Sequence, residues 1–334
     1  MAEAVTVELD AQYRQLREEC GVLDRSERGK LLLRGAEAAE YLQGQLTNDI
    51  EGLAVGEGCY AALLDRKGHM QSDMRILNCS GAPLPGISGK RRTGTEGTKA
   101  IWIDVEALAL DAVRRHLEMY KIGREVEIED VTSERAILSL IGPRSAEIAG
   151  SPPLPEYTCE EFAVAGIECI AVGTALGIDL ICAAGEGRRL RAVLGDSGAV
   201  EVGSDAAEIL RVEAGTPRFG AEMDCATMPA EADIVATAVD FEKGCYIGQE
   251  TVARLHYRGK PNRHLRGLRL SAPVTTDMPL NLGDKEVGRV GGSCVSPLHG
   301  PIALAILRRE AEPGAELAVG EDGVTARVVD LPFG

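Results

Sequence analysis

Apolar positions recur along the chain in two periods, and the alternation between them outlines the elements. "KLLLR" (residues 30–34) reads as a short strand, Gly35 turns the chain, and "AEAAEYLQGQL" follows as a helix former with Ala38, Tyr41 and Leu42 on one side. "CYAALLD" and "MQSDMRIL" predict a hairpin with its turn at "RKGH". "IWIDV" reads as a strand, and "EALALDAVRRHLEMY" places Leu110, Val113 and Leu117 three and four residues apart, one buried stripe of a helix. "RAILSLIGP" and "ECIAVGTALGIDLICAAG" supply further strands, the latter two strands around a turn. "RRLRAVLGDSG" and "DAAEILRVEAG" supply helices that each stop near a glycine.

Strands, hairpins and helices are mixed without a regular run of parallel crossover units, which predicts an α+β fold. Beyond residue 262 the pattern becomes all strand. "RHLRGLRL", "KEVGRVGG", "IALAILRR", "AELAVG" and "VTARVVD" are short and closely spaced, with turns at "LGDK", "EPG" and "GEDG". The expected organisation is an α+β region over residues 1–261, in two subdomains, and an antiparallel β-barrel over residues 262–334.

Length supports more than one core, since 334 residues exceed what one usually holds. With aromatics at 4%, that core must rest on Leu, Val, Ile and Ala. A formal charge of -16 argues against broad binding to nucleic acid or anionic membrane, because a phosphate lattice recruits Lys and Arg. Lys90, Arg91 and Arg92 form a local exception in the Gly/Pro-rich run around residues 84–100, expected to be a solvated loop. Nine scattered cysteines without a CxxC pair fit neither a disulfide framework nor a zinc site, so a reducing, cytoplasmic setting and no metal are expected. The first twenty residues are acidic and amphipathic, unlike a signal peptide, and no apolar run is long enough for a membrane helix.

One stretch carries concentrated chemistry: "KGCYIGQE", residues 243–250. Only a thiolate attacks or binds metal, so the surroundings of Cys245 matter. Lys243 shares a face with it if the segment is extended; if "GQETVARL" opens a helix, Cys245 sits near that helix's positive end. Both geometries favour a reactive thiol, whereas a buried, inert cysteine is the plain alternative. Gly244 and Gly248 allow unusual backbone angles or close approach. Gln249 offers an amide and Glu250 a carboxylate, and together they can read a heterocycle edge. Asp73, Asp49, Glu213 and Glu231 end or follow apolar elements, where carboxylates commonly cap or turn. "RLHYRGKPNRHLR" gathers Arg254, Arg258, Lys260, Arg263 and Arg266, a solvated face or a seat for an anionic ligand tail. No Walker loop, dinucleotide fingerprint or serine nucleophile elbow is present.

"KGCYIGQE" resembles the signature of the YgfZ-type folate-binding proteins, relatives of the glycine cleavage T-protein, an aminomethyltransferase. "GVLDRSERGKLLLRGAEAAEYLQGQLTNDI", "LLDRKGHMQSDMRI", "LRVEAGTPRFGAEMDCATMPAEADI", "GPIALAILRR" and "VVDLPFG" extend that resemblance over nearly the whole chain. It implies a folate-binding α+β region of two subdomains followed by a β-barrel, with tetrahydrofolate as cofactor. It also implies a role in iron-sulfur protein maintenance, with effects on tRNA modification. Cys245 and Lys243 then form the reactive centre, and Asp73, Glu213, Tyr246, Gln249, Glu250 and Arg254 are expected to contact folate. The partners implied are folate and iron-sulfur client or assembly proteins. T-proteins carry an aspartate pair in the hairpin where this chain has Ser72 and Asp73, and usually lack a cysteine at the place of Cys245. The leading expectation is therefore a cysteine-based iron-sulfur accessory protein; the alternative is a folate-dependent aminomethyltransferase. A protein scaffold acting through the barrel and the basic strip is a third.

Overall fold

The computed structural model describes residues 2–79 and 100–334. The basic run at Lys90, Arg91 and Arg92 lies outside the described residues. Three sheets organise the chain, and two of them are interleaved in sequence. A five-stranded antiparallel sheet runs in the order Gly58–Leu64, Met70–Asn78, Ala100–Val105, Gly29–Arg34, Glu127–Asp130. A six-stranded sheet takes Gly21–Asp24 from before it, and Arg135–Ile141, Cys159–Val164, Ile167–Thr174, Gly177–Ala183 and Val200–Glu201 from after it.

The predicted hairpin forms, with Tyr60 opposite Arg75 and Ala62 opposite Asp73. Alternation along the strands then sorts side chains onto two faces. One face of the five-stranded sheet carries Leu31, Ala61, Met74, Ile76 and Ile103 into a core shared with the helices Ala38–Gln43 and Leu110–Tyr120. Val113 and Leu117 of the second helix are fully buried there, each stabilising the fold by about 1.5–3 kcal/mol. The other face presents Leu32, Leu77 and Trp102 to Ile137, Ile170, Val172 and Ile181 of the six-stranded sheet. Gly35, at φ +133°, permits the turn between the first strand and helix; a Cβ there would lie 1.9 Å from the Glu125 carbonyl oxygen.

Residues 263–329 build a third, seven-stranded antiparallel sheet that curls around Leu268, Val287, Leu307, Val319 and Val328. It curls as a half-barrel, in keeping with the antiparallel barrel-like region expected. Its ladder ends at Lys285–Arg289 on one side and Ser293–Ser296 on the other. The second edge is covered by other groups: the Gly292 N–H donates to Glu222 Oε1 at 2.7 Å, and a Cβ at Gly292 would meet the Arg211 guanidinium at 2.2 Å. An edge satisfied by a side chain and a packed helix has no need of another strand. The acidic strands Glu127–Asp130 and Cys159–Val164 were not legible as strands, because "EIED" and "CEEFAV" pair with neighbours despite weak intrinsic β-propensity.

Candidate active site

Asp73 stands in the strand Met70–Asn78, on the same face as Arg75, where the five-stranded sheet meets the six-stranded one. Tyr60, on the neighbouring strand, donates its hydroxyl to Asp73 Oδ2 at 2.6 Å. The Tyr60 ring stacks with Tyr157, centroids 6.4 Å apart and planes 12° from parallel. All three residues are half-buried. Tyr157 holds a left-handed backbone, φ +64°, a strained state for an aromatic residue. Gly58 makes room for it, since a Cβ there would lie 2.6 Å from the Tyr157 carbonyl oxygen.

Behind this trio lies a buried charge network. Arg75 binds Asp104 at 2.6 Å and reaches across to Asp179 of the second sheet at 2.7 Å. Arg28 binds Asp104 at 2.5 Å and also pairs with Glu106. Burial works against the Asp104 carboxylate, but Arg28 and Arg75 outweigh it and hold its pKa below the usual value. Asp73 behaves oppositely. Burial raises its pKa, and the Tyr60 hydrogen bond and the more distant Arg28 charge offset that only in part. One carboxylate on this face is thus favoured as an anion, and the other holds its proton more tightly than an ordinary carboxyl.

The "KGCYIGQE" segment serves a different purpose locally. Lys243 Nζ donates to three backbone carbonyls, Gln43 at 2.8 Å, Leu46 at 2.7 Å and Asn48 at 2.7 Å. All three ammonium hydrogens are spent on the turn after the helix Ala38–Gln43, leaving none for a Cys245 thiolate. Burial pulls the Lys243 pKa down to about 8, against the charges of Asp49 and Cys59. Asn48 in turn donates its side-chain amide to the Tyr60 carbonyl at 2.8 Å, so this clamp reaches the strand that carries Tyr60. Gly248, φ +87°, packs on the hairpin turn below Asp73: a Cβ would lie 2.6 Å from the Asp65 carbonyl oxygen. Tyr246 is buried in the main core, its ring under the Lys243 ammonium at 5.3 Å, and its hydroxyl meets no partner among the described residues. Cys245 itself is exposed, in the loop before the helix Gln249–Arg258.

Other expected contacts fall elsewhere. Glu250 and Arg254 are exposed on that helix, and Gln249 is half-buried at its first position. Glu213 is buried at a three-way junction: Tyr13 of the N-terminal helix donates to its Oε1 at 2.9 Å, and Ser296 of the C-terminal sheet donates to the same oxygen at 2.6 Å. Among the described residues it shares no hydrogen-bond partner with Asp73. In the basic strip, Arg263 is paired with Glu231 at 2.7 Å. Asp49 accepts from Gln43 and from the Gly52 N–H, as a turn carboxylate does. Among the described residues no group of three or more His, Cys, Asp or Glu side chains converges to hold a metal, and no helix is long and apolar enough to cross a membrane.

Sequence reasoning missed Tyr60, Tyr157, Arg28 and the Asp104–Arg75–Asp179 network. The period-2 pattern of "MQSDMRIL" did hold a signal: Asp73 and Arg75 must share a face, and two charges on an inward face need partners.

The chain as a whole has counterparts among known proteins. The chain matches the GCVT N-terminal domain over residues 3–83 and 96–243. An aminomethyltransferase of Rubrobacter xylanophilus is 29% identical over 338 residues, spanning 97% of this chain and 86% of that protein. One from Synechococcus sp. (strain CC9311) is 28% identical, spanning 97% and 90%. The crystal structure of the glycine cleavage system aminomethyltransferase T from Bartonella henselae superposes with a TM-score of 0.83 at 22% identity, covering 98% of this chain and 89% of that one, a likeness of fold. With most of its length matching the family's defining domain, the chain belongs to the GCVT family.

Proposed function

We propose that the protein is a tetrahydrofolate-dependent one-carbon transferase of the aminomethyltransferase type, with Asp73 as its proton-transfer group. The observation that carries this reading is the half-buried Asp73 carboxyl, its pKa raised by burial and its Oδ2 held by the Tyr60 hydroxyl at 2.6 Å. A general acid–base group works best when its pKa approaches the working pH, and burial moves a carboxyl in that direction. The residues fit a reduced pterin: a carboxyl matches its N–H groups, and the parallel Tyr60 and Tyr157 rings suit a planar heterocycle.

Tetrahydrofolate, when bound, supplies the amine nitrogen that takes up the one-carbon unit. Asp73 takes the proton from that nitrogen and can return it to the departing amine. Tyr60 fixes Oδ2, which leaves Oδ1 to the ligand, and the Arg28–Asp104–Arg75 network holds the strands in register beneath it.

The iron-sulfur accessory reading ranks second. It rests on the motif resemblance and the exposed Cys245. The relatives described above carry aminomethyltransferase names and lend it no support, and the commitment of Lys243 to three carbonyls removes one of the two local reasons for an activated thiolate, leaving the helix Gln249–Arg258 that follows Cys245.

Calorimetric titration with tetrahydrofolate, together with ammonia release from an aminomethylated lipoyl carrier protein, tests the proposal. Saturable binding and folate-dependent ammonia release are expected. If the intact chain neither binds folate nor releases ammonia, the transferase reading is lost.

A further inference from the structure

Two buried cysteines at the rim of the inter-sheet layer have no part in the reaction above. Cys79 follows the strand Met70–Asn78 and Cys159 opens the strand Cys159–Val164, and their sulfurs lie 3.6 Å apart in a hydrogen-bonded contact. The backbone holds them there. Gly56 N–H donates to the Asn78 carbonyl at 2.9 Å, and the Gly56 carbonyl accepts from the Cys159 N–H at 2.8 Å, so one residue clamps both segments. Cys79 N–H donates to the Ala100 carbonyl at 3.1 Å. Both cysteines are 6% exposed, among Leu77, Trp102 and Val172.

We infer that Cys79 and Cys159 form a dithiol oxidation site, closed to a disulfide by a small peroxide and reopened by a thiol reductant. The sulfurs must approach by about 1.5 Å to reach bonding distance, a movement within reach of side-chain rotation and slight backbone adjustment. The Arg75 charge favours a thiolate at either sulfur, and the contact between them lets one thiol stabilise the other's anion. With Cys79 as the donor, Cys159 is the attacking thiolate.

Its sulfur attacks one oxygen of hydrogen peroxide, the O–O bond breaks, and the departing hydroxide takes up the proton Cys159 lost on ionising. The Cys79 sulfur then attacks the Cys159 sulfenic acid, the S–O bond breaks, and water leaves with the Cys79 proton. Two thiols lose one electron each and peroxide becomes two waters. The bond ties the strand that bears Asp73 to the segment that bears Tyr157, six and two residues away respectively. The inference does not depend on folate chemistry.

A second pair serves as an internal standard. Cys169 and Cys182 face each other across two strands within the sheet, 2% and 0% exposed. Full-length reduced protein is treated with hydrogen peroxide, alkylated under denaturing conditions, digested and mapped by mass spectrometry. The expected product is a Cys79–Cys159 linked peptide that forms before any Cys169–Cys182 link and disappears with dithiothreitol. The linked protein should melt about 5 °C higher, because the bond closes a long loop in the unfolded chain. Cys79→Ala and Cys159→Ala, tested separately, should each abolish the linked peptide and the shift. Recovery of Cys79 and Cys159 as alkylated thiols while exposed Cys225 or Cys245 is oxidised overturns the inference. So does simultaneous linkage of both pairs, which reports unfolding instead of a preformed site. Mapping of the intact chain decides the matter even if a variant fails to fold.

Discussion

Two regions of this molecule invite opposite first impressions. The segment 243–250 concentrates a cation, a thiol, two glycines and three polar side chains, and looks like a reactive centre. Asp73 looks like one more carboxylate near the end of an apolar element. In the folded chain the contrast runs the other way. Lys243 is bound by three carbonyls, Gly248 fits against the hairpin turn and Tyr246 fills the core, so most of the segment's unusual composition is accounted for by docking. Asp73, by contrast, combines a short hydrogen bond from a tyrosine, a stacked aromatic pair and a raised pKa. Residue types that are rare in a loop can be there for packing, and an ordinary carboxyl holds its proton more tightly when burial outweighs the charges around it.

The contrast is broken or sharpened most strongly at Asp73. Asp73→Asn should lower tetrahydrofolate-dependent ammonia release by roughly a thousandfold. Stability should move the other way. A folded pKa raised above the unfolded value near 3.9 means that the stabilisation by the protonated carboxyl is complete below that value and is lost as pH rises through the folded pKa. Thermal melts of the variant should therefore match the parent below about pH 4, gain on it as pH rises through the folded pKa, and keep a constant lead above it. A variant that is both inactive and destabilised at pH 7 makes Asp73 a structural residue.

Lys243→Met comes next. It strands three carbonyl oxygens and should cost about 2 kcal/mol in denaturant unfolding. The matching expectation for the segment is that activity per folded molecule survives in large part. Abolished activity with unchanged stability restores Lys243 to the catalytic group.

Tyr60→Phe removes one hydrogen bond to a carboxylate, and activity should fall about tenfold. Because that bond lowers the Asp73 pKa, its loss should move the acid limb of the pH–rate profile to higher pH. A drop in rate with an unmoved acid limb separates Tyr60 from proton transfer. The smallest effect belongs to Cys245→Ser, an exposed position, where stability should change by less than about 0.5 kcal/mol and folate titration should be unaltered. Loss of folate binding there revives the cysteine-centred reading.

Much of the secondary structure was legible because periodicity encodes it directly. The stripe Leu110, Val113, Leu117 reads as a helix face, and "CYAALLDRKGHMQSDMRIL" reads as a hairpin, with no knowledge of any partner. The site was legible only in part. Asp73 could be named as a candidate through a resemblance, but its tyrosine lies thirteen residues upstream and Tyr157 lies far downstream, in the turn before a strand of the other sheet. Lys243 was expected to face Cys245 because neighbours two apart share a side in an extended segment; the turn at residues 43–48 competed for the ammonium and won, with three acceptors against one.

By itself the sequence determined the mixed α+β character, the all-strand C-terminal region and the positions of most strands and helices, since these follow from spacings within one segment. Tertiary structure alone decided which charges neutralise one another. Arg75 finds Asp104 on an adjacent strand and Asp179 on another sheet, whereas Asp73 accepts from the neutral Tyr60 hydroxyl and feels the Arg28 charge from farther off. A carboxyl's proton affinity is the sum of its desolvation and the charges brought within a few ångströms, and those distances exist only after the two sheets have packed together.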